Sequence, residues 1–179
     1  MAERYILGHA GVYGQRYKRV LPDFCRTDFS LTVDRKTYLL NRCFLTMQKV
    51  NIVWFKRDIR LLDNEPLYYA SLDNVPVILL AFLEPSLMAL PQSDSRHWRF
   101  VTQSVEDLNK RIKKYNGELH LVHGEVENVF NLLAKSFQIK SVYSYAETGL
   151  KRTYERDKSI KRFCKNAGVT WREYPYAGV

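Results

Sequence analysis

From Gln48 onward, short apolar runs alternate with longer amphipathic stretches, and that rhythm predicts strand and helix in turn. Val50, Ile52, Val53, Trp54 and Phe55 form a β-rich run with room for one strand, stopped by Lys56-Arg57-Asp58. Such an apolar run fits a parallel strand covered on both faces. Val75 to Leu83 is a second run of this kind, ended by Glu84-Pro85, and Leu119 to Val122, Ser141 to Tyr145 and Val169 to Tyr174 supply three more. A short helix is predicted near Glu65 to Leu72, where Asp63 or Asn64 can cap it and Pro66 suits its first turn.

A long helix follows from about Asp94 to Tyr115, because Trp98, Val101, Val105, Leu108 and Ile112 recur at intervals of three and four. Asn116-Gly117 closes it. Val126, Val129, Phe130, Leu133 and Phe137 trace the apolar stripe of another helix, and Arg152 to Asn166 reads as the last, ended by Ala167-Gly168.

Strands joined by helices require right-handed crossovers and a parallel sheet. The fold class is therefore α/β, a Rossmann-like doubly wound five-stranded parallel sheet of order 3-2-1-4-5 with helices on both faces. Its switch point lies between the first and fourth strands, so the loops Lys56 to Asn64 and Ala146 to Lys151 are expected to flank a ligand crevice.

Residues 1–47 have a different character, without sustained helical or strand period, and are read as an N-terminal extension expected to be poorly ordered. They lack the apolar core and cleavage site of a secretory signal. Gly8, Gly11 and Gly14 have the wrong spacing and context for a phosphate-binding loop, which follows a strand and opens a helix. The α/β domain itself spans 48–179.

Composition narrows the class further. Apolar residues at 46% are ordinary for a globular protein, and no apolar run approaches the ~20 residues that span a bilayer. No membrane association is expected. Cys25, Cys43 and Cys164 show no metal-ligand or redox spacing, so neither a disulfide framework nor a metal site is expected, and the cytoplasm is the expected compartment. The formal charge of +9 is unevenly spread, since residues 1–47 hold 8 Lys/Arg against 4 Asp/Glu. Much of the remaining excess lies in Lys151, Arg152, Arg156, Lys158, Lys161, Arg162 and Lys165, which read as a solvated helix face giving at most weak, salt-dependent contact with DNA.

The sequence from Trp54 to Asn64, WFKRDIRLLDN, resembles the opening strand and loop of the photolyase/cryptochrome family, WF(R/K)RD-L-R-x-x-DN. The resemblance continues through Ser95 to Val101, Gln103 to Val105 and Asp107 to Asn109 in the long helix, and through Leu121 to Glu125, which is similar to the family's LxxGD/E turn. Ser144 to Gly149, with Tyr154 and Arg156-Asp157-Lys158, resembles a subgroup reading SHxETG then Y-x-RDK, with Tyr145 in place of the histidine. In this family the α/β domain precedes a helical domain that binds FAD and holds the damaged pyrimidine pair. That catalytic domain is expected to be absent from this chain, and no catalytic residue of the family maps onto it. The chain alone is expected to be inactive, reaching damaged DNA only as part of a full-length protein.

What the resemblance implies for this domain is light harvesting through an antenna chromophore, methenyltetrahydrofolate, 8-hydroxy-5-deazaflavin or FMN. By position, Phe55, Lys56, Arg57 and Asp58 would reach the crevice from the first loop, and Phe82 and Glu84 from the second strand end. Arg96 would enter from the long helix, and Tyr145 and Glu147 from the fourth loop. Arg57 and Arg96 suit phosphate or carboxylate groups, Glu147 suits a donor on the ring, and the aromatic residues suit stacking. Purely structural roles compete with these. Arg57, Asp58, Arg60 and Asp157 could form a charge network that pins the loops, Phe82 and the three tryptophans could be core, and His97 and His123 could be surface or capping residues. The alternative function is a stand-alone nucleotide-binding or signalling module of the universal-stress-protein-like class, against which no Gly-rich phosphate loop follows strand one or strand four.

Overall fold

The computed structural model describes residues 47–176. Its elements are β1 (Lys49–Phe55), α1 (Glu65–Leu72), β2 (Val77–Leu83), α2 (Pro85–Met88), α3 (Ser95–Ile112), β3 (Leu119–His123), α4 (Val126–Ser136), β4 (Gln138–Tyr145), α5 (Lys151–Asn166) and β5 (Thr170–Tyr174). The strands form one parallel sheet in the order β3-β2-β1-β4-β5, as the alternation predicts. Residues 1–46, read as an extension, lie outside the described residues.

Strand periodicity sorts the core into two layers. Val50, Ile52 and Trp54 face α4 and α5, where they meet Val129, Phe130, Leu133, Ile160 and Cys164. Val53 and Phe55 face α1 and α3, packing with Leu67, Ala70, Val105, Leu108 and Ile112. Both faces of the sheet are thus covered, which is why its strands read as nearly continuous apolar runs.

Capping fixes the helix starts. Asn64 accepts a hydrogen bond from the Leu67 backbone N–H at 2.9 Å, with Pro66 in the first turn. Asp94 caps α3 by accepting from the Arg96 N–H at 2.7 Å. After a 3-10 turn over Lys113–Tyr115, the left-handed residue that ends the helix is Asn116 at φ 55°, and Asn tolerates that conformation.

Several boundaries differ from the sequence reading. β2 begins at Val77 instead of Val75, because Pro76 has no N–H to give to a ladder and its carbonyl accepts from the Asn51 N–H at 2.8 Å. β4 begins at Gln138 instead of Ser141 and takes in polar positions. The turn of helix at Pro85–Met88 was not anticipated, since Pro85 is both a strand stop and a residue suited to a first helical turn. Trp98 and Val101 are only half-buried, so the core stripe of α3 is confined to Val105, Leu108 and Ile112.

One buried polar link ties α1 to the centre of the sheet. The fully buried Asn51 donates from Nδ2 to Asp73 Oδ2 at 3.0 Å, and Lys140 Nζ donates to both oxygens of Asp73 at 2.7 and 2.6 Å. Asp73→Ala is expected to cost about 1–3 kcal/mol, because the Asn51 amide is left buried without this partner. The half-exposed lysine contact adds little. Hydrogen bonds from Lys140 and then Asn51 hold the Asp73 carboxyl below its ordinary value of 3.8. A lowered carboxylate pKa stabilises the fold fully above the unfolded value and loses that effect as pH falls through the native one. Urea unfolding should therefore show a gap between wild type and variant that narrows below about pH 4, leaving the part owed to the unpartnered Asn51 amide.

Candidate functional site

β1, β2 and β4 end side by side, and the residues just past their last rungs are charged. Lys56 and Arg57 follow β1, Glu84 follows β2, and Glu147 lies two residues past β4. Arg156, in the second turn of α5, reaches into the space between them. Its guanidinium contacts Glu84 at 2.5 Å, Glu147 at 3.0 Å and the neighbouring Asp157 at 2.8 Å. Lys56 Nζ donates to the other oxygen of Asp157 at 2.5 Å, and Arg57 reaches the second oxygen of Glu147 at 3.3 Å.

Three cations thus meet three carboxylates, and every member except Arg57 is largely withdrawn from water. Burial holds the Lys56 amine below its ordinary pKa, with Asp157 pulling the other way. Burial also pushes the Glu84 carboxyl upward against the pull of Arg156. Beneath the network lies the indole of Trp54, 4.5 Å from Lys56 Nζ and 4.7 Å from the Arg156 guanidinium carbon. The electron-rich ring face favours both cations.

Above this charged floor opens a cavity of about 410 Å³, within the 300–1,000 Å³ range common for small-molecule pockets. Phe82, Leu87, Leu90, Trp98, Val101 and Leu150 give it apolar walls. The Trp98 indole N–H donates to Ser93 Oγ at 2.6 Å, which fixes the ring. The one charged floor residue that is more than half exposed is Arg57, with its side chain 53% accessible. Gly149 makes room for it, since a Cβ there would strike the Arg57 guanidinium and the Glu147 carboxylate.

The DNA photolyase family model matches residues 51–176, which takes in this crevice and all of the sheet except Lys49 and Val50 of β1. The chain belongs to the DNA photolyase family. Cryptochrome-2 of Gallus gallus is 32% identical over 120 residues, covering 66% of this chain and 20% of the chicken protein. Among solved structures, a cryptochrome of Synechocystis sp. PCC6803 superposes with a TM-score of 0.64 at 25% identity, covering 72% of this chain and 28% of that one. A class III photolyase from Agrobacterium tumefaciens gives 0.62 at 27%, covering 72% and 26%. The chain thus spans about a fifth of the chicken protein's length and about a quarter of these photolyase-family structures.

Of the residues expected in this photolyase-family crevice, Phe55, Lys56, Arg57, Phe82, Glu84 and Glu147 line the cavity. Asp58, Tyr145 and Arg96 do not. Asp58 is buried behind the first loop, accepting from the Lys56 N–H at 3.0 Å and from Asn64 Nδ2 at 3.0 Å, and burial raises its pKa. The Tyr145 hydroxyl donates to the Asp63 carbonyl and accepts from the Glu65 N–H, both at 3.1 Å, so it pins the start of α1. Arg96 stays outside on Asp94, its own helix cap, at 2.9 Å. The Lys56–Asn64 loop contributes only Lys56 and Arg57 to the lining, and the opposite wall comes from Leu87 to Val101.

Sequence reasoning missed Arg156 and the wall residues His97, Trp98 and Leu90 as site residues. It left Arg156 among the basic residues of a solvated face. A signal was present in the register of α5, whose buried positions Thr153, Asp157, Ile160 and Cys164 define the inner face that Arg156 borders. The charge network that could have pinned the loops is real, with different members. Asp157 joins Lys56 and Arg156, whereas Arg60 turns to the Asp63 carbonyl at 3.1 Å.

Among the described residues no cluster of His, Cys, Asp and Glu could hold a metal ion, and no helix is long and apolar enough to cross a membrane.

Proposed function

We propose that residues 48–179 form the light-harvesting domain of a deoxyribodipyrimidine photolyase or cryptochrome, with the crevice as the antenna-chromophore site. The observation that carries this reading is the 410 Å³ cavity with apolar walls over a charged floor at the carboxyl ends of β1, β2 and β4. Doubly wound sheets bind ligands at this position.

The residues suit a planar ring with an anionic tail. Phe82, Leu87, Leu90 and Trp98 supply apolar and aromatic surface for a ring, while Lys56 and Arg156 are already neutralised by carboxylates. Arg57 is the floor cation with room to pair with a phosphate or carboxylate, and Glu147 can accept from a ring N–H. Methenyltetrahydrofolate and FMN share this character, and 8-hydroxy-5-deazaflavin offers an ionisable ring hydroxyl in place of the anionic tail. A photolyase of Sulfolobus tokodaii, which superposes with a TM-score of 0.62 at 26% identity, is described as holding two FAD molecules, with the implication of a novel light-harvesting cofactor. When bound, such a chromophore absorbs near-ultraviolet or blue light and passes the excitation to a reduced flavin. The chain's own task is to fix ring distance and orientation and to exclude water. FAD, the helical domain that binds it and damaged DNA belong to the full-length context of this reading.

The test is titration of the chain with each of the three chromophores, read by a shifted absorption band. Arg57→Ala is expected to weaken binding about tenfold to hundredfold, the worth of one charge-assisted hydrogen bond in a partly desolvated site. Stability should move by less than about 1 kcal/mol, because Arg57 makes a single half-exposed ion pair. No shifted band with any of the three up to about 1 mM, or unchanged affinity in the variant, would overturn the assignment.

A further inference from the structure

The turn from Leu121 to Glu125, none of whose residues lines the crevice, acts on it from the side. Glu125 is the N-cap residue of α4, yet its side chain makes no cap bond there. A polar side chain at that position ordinarily accepts from the first turn of its own helix. The Glu125 carboxylate crosses instead to α2, where Oε1 accepts from the Ser86 N–H at 2.8 Å and Oε2 from the Ser86 hydroxyl at 2.9 Å. α2 takes this partner from outside because Glu84, its own N-cap residue, is held by Arg156. The segment that Glu125 grips is a wall of the cavity. Residues 85–93 include no buried position, and Leu87 and Leu90 line the cavity. Backbone bonds here are local, from Met88 and Ala89 to the Glu84 and Pro85 carbonyls at 2.9 and 3.0 Å, and from Ser93 to Leu90 at 2.8 Å. At the far end, Ser93 Oγ accepts from the Trp98 indole at 2.6 Å. A segment with local hydrogen bonds and no buried side chain lies at the low end of local stability.

We infer that residues 85–93 are a lid on the crevice, hinged at Glu84 and Asp94, and that Glu125 is the positioning residue that latches it shut. Both hinges are anchored, Glu84 by Arg156 and Asp94 by its cap on α3. Opening draws the half-buried Leu87 and Leu90 away from the cavity and leaves the floor in place, because Lys56, Glu147 and Arg156 belong to other elements. Lids of this kind set how fast a site takes up and releases its ligand. The ligand-exchange part rests on the chromophore reading, and the lid itself does not.

Hydrogen exchange on the full chain, read by mass spectrometry, tests the lid without any ligand. A single turn of helix does not keep its hydrogen bonds once detached, so the amides of Ser86, Met88 and Ala89 report opening. Glu125→Ala is expected to speed their exchange roughly tenfold to hundredfold, the effect on the opening equilibrium of losing a charge-assisted hydrogen bond. Glu125→Gln keeps one acceptor oxygen and should recover part of the protection. Exchange at Phe130 and Leu133 of α4 and along β1 should keep the wild-type rate in both variants, which separates unlatching from a loss of global stability. FMN then serves as the probe of ligand exchange. In stopped-flow measurements Glu125→Ala should raise its association and dissociation rates by a common factor and leave their ratio unchanged. If the chain takes up no FMN, the chromophore reading fails for that ligand and the exchange result alone decides the lid. Wild-type exchange over residues 85–93 as slow as in the core of α3, no acceleration in Glu125→Ala, or equal acceleration in α4 would each overturn the inference, as would unchanged FMN rates beside accelerated exchange.

Discussion

Arg156→Met is expected to lower folding stability by about 3–5 kcal/mol, the range for breaking a buried ion pair from one side. The variant keeps the aliphatic stem and removes the guanidinium, leaving Glu84 and Glu147 buried without their shared cation. For a domain of this size that corresponds to a fall in melting temperature of roughly 10 °C. The loss should also carry a pH signature. Glu84 already has its pKa raised by burial, with Arg156 opposing the shift. Without the arginine the native value rises further, so the folded state binds more protons than the unfolded one. A raised native pKa gives stability that is complete below the unfolded value and lost as pH rises through the native one. The deficit of Arg156→Met should therefore be smaller near pH ~5 than near pH ~7.5, and Glu84→Gln in the same background should recover part of it. A deficit independent of pH would show that the lost contact is packing alone.

Trp54→Ala carries the second large effect. The side chain is 1% exposed and packs against Phe82, Phe130 and Trp171 at ring separations of 6.1, 5.9 and 6.0 Å. Truncation is expected to cost about 3–5 kcal/mol, through lost burial and the cavity left behind. Two cations also lose the ring beneath them, and for these Trp54→Phe is the informative comparison. Phenylalanine keeps an aromatic face and most of the volume, so the smaller loss it should show in chemical denaturation measures the fit of the indole. An equal loss in both variants would mean that the wider ring, and not the filled volume, holds the floor together.

The sheet was legible because its central strands β1 and β2 are buried on both faces and leave nearly unbroken apolar runs, whereas the edge strand β5, with no buried position, left a weaker one. The site was legible at strand ends, where Phe55-Lys56-Arg57 and Phe82 to Glu84 could be placed by topology alone. It was less legible on helices. Arg156 sits in a sequence crowded with lysine and arginine, and only its register against Thr153, Ile160 and Cys164 separates it from the solvated residues around it. Arg96 was misplaced because proximity to a helix start does not reveal that Asp94, two residues earlier, holds its guanidinium outside. Tyr145 was misplaced for a different reason. Alternation along β4 sends it to the same face as Tyr143, towards α1, and a reading by loop membership ignores that parity.

The sheet order has a temporal meaning as well. β1 leads the described chain yet occupies the centre of the sheet, between β2 and β4. Its side towards β4 stays unpaired during synthesis until the fourth strand emerges, and Lys56 waits for Asp157, 101 residues later, to complete their contact. Pairings this distant in sequence slow folding, because the entropy of closing the intervening loop is spent before the contact forms. A strand buried at six of its seven positions is therefore the one left open longest on the ribosome, a window in which a chaperone or a neighbouring nascent chain competes for its edge.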